Sequence, residues 1–123
     1  MRYVVSIGSN EHRRANMRLA RKRLSALFRD ILFSREMETA PLYLHRTGPF
    51  SNQVACFHSD LHAEDVYACL KRIEHEAGRR PEDKHLEIVK LDIDLLMCGD
   101  NIIRPEDWTR EYVQCGLKYL NIL

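Results

Sequence analysis

The chain carries no excess of charge of either sign: 19 lysines and arginines against 18 acids leave a net charge of +1. So even a balance argues against a dedicated nucleic-acid binder, whose phosphate partner calls for a basic excess. It also has no long hydrophobic run. No stretch approaches the roughly 20 apolar residues of a membrane span. The apolar run Tyr3–Ile7 is too short, and too soon followed by polar residues, to read as a signal peptide. Paired cysteines are missing as well: Cys56, Cys69, Cys98 and Cys115 stand far apart, with no Cys-x-x-Cys and no histidine at zinc-ligand spacing, and they read as reduced thiols. Repeats, low-complexity tracts and interdomain linkers are absent. The expectation is a soluble cytoplasmic protein, a single domain over residues 1–123, monomeric or weakly dimeric, with no membrane and no nucleic acid among its partners.

Hydrophobic residues at 45% and charged ones at 30% are ordinary globular values, and the length suffices for a core without staples. Charge is unevenly spread, since Arg13, Arg14, Arg18, Arg21, Lys22 and Arg23 crowd one early segment. Tyr3–Ile7 reads as a buried first strand. Gly8-Ser9-Asn10 closes it, with Ser9 or Asn10 as a cap for a helix starting near His12. Met17, Ala20, Leu24, Leu27 and Phe28 fall on helical spacing and form its inner stripe, leaving the arginines on a solvated face. Ile31–Glu38 is an irregular second strand. Thr39–Ser51, with Pro41, Gly48 and Pro49, is a long loop of the kind that binds something. Asn52–Ser59 is a third strand, on which His58 reads as a surface or satisfied histidine. A second helix over Ala63–Ala77 turns Val66, Cys69, Leu70, Ile73 and Ala77 inward, and Gly78 stops it. Arg79–Glu87 is a polar, proline-broken loop. Trp108–Leu120 is a weakly amphipathic final segment. The order βαββαβ predicts an α+β fold, a ferredoxin-like sandwich with an antiparallel sheet and two helices on one face.

The last strand, Ile88–Met97, carries the most specific chemistry. Strand side chains alternate, so Leu91, Ile93 and Leu95 take one face and Asp92 and Asp94 the other. A rise of about 3.3 Å per residue puts the two carboxylates about 6–7 Å apart at Cβ, within reach of one hard cation or a close pair. A bare Asp-x-Asp is more often a wetted strand face, so the pair gains meaning only from its surroundings.

Those surroundings resemble one family. Gly8-Ser9-Asn10, Thr39-Ala40-Pro41-Leu42, Phe50-Ser51-Asn52, Ile73-Glu74, Gly78-Arg79 and Leu91-Asp92-Ile93-Asp94-Leu95-Leu96 followed by Gly99 are, in that order and spacing, similar to 6-hydroxymethyl-7,8-dihydropterin pyrophosphokinase. The resemblance covers roughly residues 3 to 103. It implies attack of the pterin hydroxymethyl oxygen on the β-phosphorus of ATP, with AMP leaving. It implies that Asp92 and Asp94 hold two Mg²⁺ ions, and that Asp92, Asp94 and Arg79 are the catalytic set. Thr39, Pro41, Leu42, Phe50 and Asn52 would bind the pterin; Glu74, Arg79, Lys84 and Lys90 would lie on the ATP side.

The likeness has gaps. Where the family carries a tryptophan and a Gly-Pro-Arg ahead of the metal strand, this chain has Leu86, Glu87, Ile88 and Val89, and only Lys84, His85 and Lys90 supply nearby charge. Beyond Ile103 the likeness is loose, with Tyr119 as the candidate stacking aromatic and Lys118 as a candidate phosphate contact. One alternative is therefore a relative that binds pterin or nucleotide with little or no turnover. Another is a ferredoxin-like scaffold for RNA or a protein, supported by the basic first helix but not by exposed sheet aromatics.

Overall fold

A computed structural model describes residues 1–40 and 48–122. In chain order the elements are β1 (Arg2–Ser9), α1 (Arg13–Leu27), β2 (Leu32–Phe33), β3 (Met37–Thr39), β4 (Phe50–His58), α2 (Ala63–Glu76), a 3-10 turn (Pro81–Lys84), β5 (Asp92–Cys98), β6 (Asn101–Ile102), α3 (Pro105–Trp108) and α4 (Glu111–Tyr119). The strands form one antiparallel sheet in the order β2-β4-β1-β5-β6, with β3 also on β4. This is the mixed α+β, ferredoxin-like arrangement that the sequence predicts. No helix among the described residues is long and apolar enough to cross a membrane.

Alternation divides the sheet into two faces. Tyr3, Val5 and Ile7 of β1, Ala55 and Phe57 of β4, and Ile93 and Leu95 of β5 pack with Leu91 under α1 and α2. From the helices come Met17, Ala20 and Leu24 of α1 and Val66, Leu70 and Ile73 of α2. Phe28 stacks on Phe57 at 3.9 Å between ring centroids. Leu27, expected in this stripe, is instead half exposed. The chain leaves helical geometry at Phe28, which aims that ring inward in its place.

The opposite face is covered over part of its area by α4, whose Val113 and Leu117 pack on Val4, Val54, Leu96 and Met97. Two features seat this helix. Between Val4 and Val5 the register slips by one, so that Met97 and Leu95 flank an extra residue, Leu96. Such a bulge breaks alternation and turns Leu96 and Met97 to the same cluster. Gly116 lies flush on the sheet, where a Cβ would stand 2.6 Å from Val54 Cγ2. The apolar run Leu95-Leu96-Met97 thus follows from burial on both faces.

Three local expectations change. The irregular second strand is two short strands, and four steps from Phe33 to Met37 oppose three from Ala55 to Asn52 on β4. Ser34 stitches the irregularity, its N–H donating to Val54 O and its hydroxyl accepting from Val54 N–H. The long loop is shorter than expected, because Thr39 ends β3 and Phe50 and Ser51 open β4. The Gly-Ser-Asn turn does not cap α1. Ser9 Oγ donates to Lys90 O, while Asn10 donates through Nδ2 to Glu87 O and accepts from Val89 N–H at 2.6 Å. The turn therefore clamps the segment entering β5.

Candidate active site

Where α4 stops covering the sheet, β1, β4 and β5 floor an open cleft of about 530 Å³, a volume typical of small-molecule sites. Ser6, Gly8, Asn52, Asp92 and Asp94 are on its floor; Thr39, Ala40, Phe50 and Val89 border one side; Arg104, Asp107, Arg110, Glu111 and Tyr112 of the α3–α4 corner border the other. Gly8 lies close under Asn52, where a Cβ would sit a tight 3.3 Å from Asn52 Oδ1.

On the β5 side, the Asp92 and Asp94 carboxyls adjoin and influence each other's titration. Burial and then the neighbouring Asp92 charge push the Asp94 carboxyl up to about 7. Burial also pushes Asp92 up, but the neighbouring Asp94 carboxyl and the Arg79 guanidinium outweigh it, and its carboxyl lies below the usual range. The two carboxyls are thus pushed apart in acidity, as closely spaced acids are. Arg79 donates to Asp92 Oδ1 at 2.9 Å and lies 3.0 Å from Glu74 Oε1.

Glu74 is only 4% exposed and does not line the cleft. Its second oxygen accepts from Lys71 Nζ and from the Ile93 backbone N–H, each at 2.7 Å. Burial raises its carboxyl against those bonds. It ties α2 to β5 and holds Arg79 beside Asp92, rather than facing a ligand. Lys90 is likewise turned away, donating to Gly78 O at 2.8 Å and pairing with Asp83. Lys84 stands exposed on the 3-10 turn, outside the cleft.

On the β4 side, Asn52 Nδ2 donates to Thr39 Oγ1 at 2.6 Å, joining two of the expected pterin residues, and Phe50 walls the same side. Pro41 and Leu42 lie outside the described residues. The third wall is one that sequence reasoning missed. Arg104 bonds Asp107 and stands 3.9 Å from Asp94, while Arg110 reaches Asp107 at 3.1 Å. Tyr112 borders the cleft near Ser6, and burial raises its phenol. Tyr119 and Lys118 are exposed and lie off the cleft. The readable signal was the spacing Arg104-x-x-Asp107-x-x-Arg110, which sets an arginine three residues to either side of one acid.

Among the described residues no group of three or more histidine, cysteine or acidic side chains is placed to hold a metal. Two adjoining carboxylates nevertheless suit Mg²⁺, which keeps several waters and takes one or two protein carboxylates together with substrate phosphates. The donor set at Asp92 and Asp94 fits that ion. Comparison with known families gives one match: the model for 7,8-dihydro-6-hydroxymethylpterin-pyrophosphokinase covers residues 4–121 of the chain. No curated protein matches it.

Proposed function

The chain belongs to the 7,8-dihydro-6-hydroxymethylpterin-pyrophosphokinase family, and from that premise we propose that its cleft carries out the family's reaction. The family is the diphosphokinase of folate biosynthesis, transferring a pyrophosphoryl group from ATP to hydroxymethyldihydropterin, and it uses Mg²⁺. In the proposed reaction the pterin hydroxymethyl oxygen bonds to the β-phosphorus of ATP and releases its proton. The bond from that phosphorus to the oxygen bridging the α-phosphate breaks, and AMP departs with the bridging oxygen.

Asp92 and Asp94 would hold the magnesium, two ions by the sequence resemblance. When bound, the metal screens the triphosphate and aligns it for in-line displacement. Arg79 keeps Asp92 ionised and oriented, and Glu74 fixes Arg79. Arg104 and Arg110 offer planar guanidinium donors to phosphate oxygens. They supply, from the α3–α4 corner, charge that the loop before β5 does not. That wall supports turnover over mere binding. Asn52 and Thr39 present paired polar groups to the heterocycle edge and Phe50 an apolar surface, and the sequence resemblance assigns Pro41 and Leu42 to the pterin as well. Lys84 and Lys90 have no role in this scheme. The proposal extends to a soluble, cytoplasmic, single-domain protein, monomeric or weakly dimeric.

The observation that carries the reading is the meeting, in one cleft, of the Asp92/Asp94 pair with Asn52 and Thr39. The test is AMP release from Mg-ATP with 6-hydroxymethyl-7,8-dihydropterin. It should be present in the native chain and lowered by at least about a hundredfold in Asp92→Ala and Asp94→Ala. No AMP at high protein concentration refutes the proposal.

A further inference from the structure

A second concavity, of about 540 Å³, lies between α1 and the β2–β3 segment. One wall is Arg13, Arg14, Arg18 and Arg21 of α1; Glu36, Glu38 and Ser51 form the other. Residues 14, 18 and 21 follow the i, i+4, i+7 stripe of one helix face, and a rise of 1.5 Å per residue spreads them over only about 10 Å.

The two walls do not balance. Arg13 donates to Glu38 at 2.8 Å and to Ser51 at 3.0 Å; Arg21 donates to Glu36 at 3.0 Å and to Gln53 at 3.2 Å. Arg14 and Arg18 are exposed and meet no carboxylate or other hydrogen-bond partner among the described residues. The first turn of α1 contains no acid, and its N-cap makes no side-chain bond. The positive pole of the helix therefore adds to the arginines rather than opposing them. Like charges one turn apart destabilise a helix, and an anion between them would reverse the sign of that term.

We propose that this groove is a binding site for a compact, multiply charged phosphate anion of the pyrophosphate or triphosphate class, held by Arg14 and Arg18. Guanidinium forks match phosphate oxygens two at a time. Among the described residues the lining holds no aromatic side chain, so these offer no stacking platform for the bases of a nucleic-acid strand. Glu36 and Glu38 would repel an acidic peptide laid along the groove, whereas a compact anion on the outer rim touches the guanidiniums alone. Glu38 and Ser51 are each the sequence neighbour of a cleft residue, Thr39 and Phe50 respectively. On alternating strands this sets the groove on the reverse side of the pterin wall.

Pyrophosphate titrated calorimetrically into the full chain, with EDTA present to exclude a metal-dependent complex at Asp92 and Asp94, tests the site. Binding should weaken at least tenfold in Arg14→Gln/Arg18→Gln, and by clearly less in Arg104→Gln/Arg110→Gln. The reverse pattern places the anion in the cleft and overturns the proposal, as does no binding at millimolar pyrophosphate. The side-chain Nε–H NMR signals of Arg14 and Arg18 in the native chain provide a readout independent of any variant's folding: they should shift with pyrophosphate, and unmoved signals overturn the assignment. Inorganic triphosphate and ATP distinguish a free anion from a nucleotide. A glutamate-rich peptide binding more tightly than either anion would replace the proposal with a protein partner. None of these outcomes depends on AMP formation.

Discussion

The two faces of the sheet differ in how completely they are covered, and the difference separates stability from chemistry. Under α1 and α2 the face is closed, and its core residues from Tyr3 to Leu95 are buried. On the reverse face α4 shields only the end near Val4, Val54 and Leu96, leaving Ser6, Gly8, Asn52, Asp92 and Asp94 to an open cleft. A strand such as β5 serves both: Ile93 and Leu95 anchor it while Asp92 and Asp94, one residue removed, stay available. A face can hold partly desolvated acids only because the other supplies the burial that fixes the backbone.

The sharpest way to break this division is at the carboxylates. Asp94→Ala should lower AMP formation roughly a hundredfold to a thousandfold or more, the scale of removing a group that stabilises transition-state charge, while the urea midpoint stays near that of the native chain. Loss of folding in that variant would erase the distinction between the faces. Leu70→Ala on the closed face should do the converse, costing about 2–5 kcal/mol in urea denaturation with the cleft residues untouched in the folded fraction. Gly116→Ala falls between, because the added methyl meets the stiff Val54 side chain and α4 must shift. Overpacking of this kind costs about 1–3 kcal/mol, and the KM values should rise too, since α4 carries the Glu111/Tyr112 wall. An unchanged KM would show that the cleft does not feel the seating of α4.

The smallest effect lies at the sheet margin, far from either function. The Asp30 carboxylate accepts from the His58 backbone N–H at 3.1 Å and contacts its ring. The backbone bond first, and the ring second, hold that carboxyl below its usual value. A depressed acid stabilises the fold above its unfolded pKa, about 3.9, and that contribution fades as pH falls through the folded value. Asp30→Asn should therefore be less stable than the native chain near neutrality, by under about 1 kcal/mol because solvent screens so exposed a pair. The gap should close in acid; a difference that widens below pH 4 contradicts the assignment.

Much of the closed face was legible because it obeys two periods: Met17, Ala20 and Leu24 keep helical spacing, and Tyr3, Val5 and Ile7 keep strand spacing. Asp92 and Asp94 were legible for the same reason. Leu27 was misplaced because a period cannot report where a helix lets go. The partners of Glu74 and Lys90 were hidden, since pairing across α2, the 3-10 turn and β5 depends on tertiary approach rather than on spacing along the chain. Arg104 and Arg110 escaped notice because the corner at Pro105 and the bulge at Leu96 decide where that segment lands, and neither leaves a period. Pro41 and Leu42 lie outside the described residues.

The strand nearest the start of the chain, β1, is flanked on both edges by strands from much later, β4 and β5. A ribosome therefore delivers this segment long before either neighbour, with two rows of unpaired amides and an apolar side exposed. Contacts so distant in sequence slow folding, and bare strand edges invite pairing with other chains. The cleft floor can exist only after the Asp92 segment has emerged, so ligand recognition should arise late in synthesis and all together, and the nascent chain is where holdase chaperones should matter most.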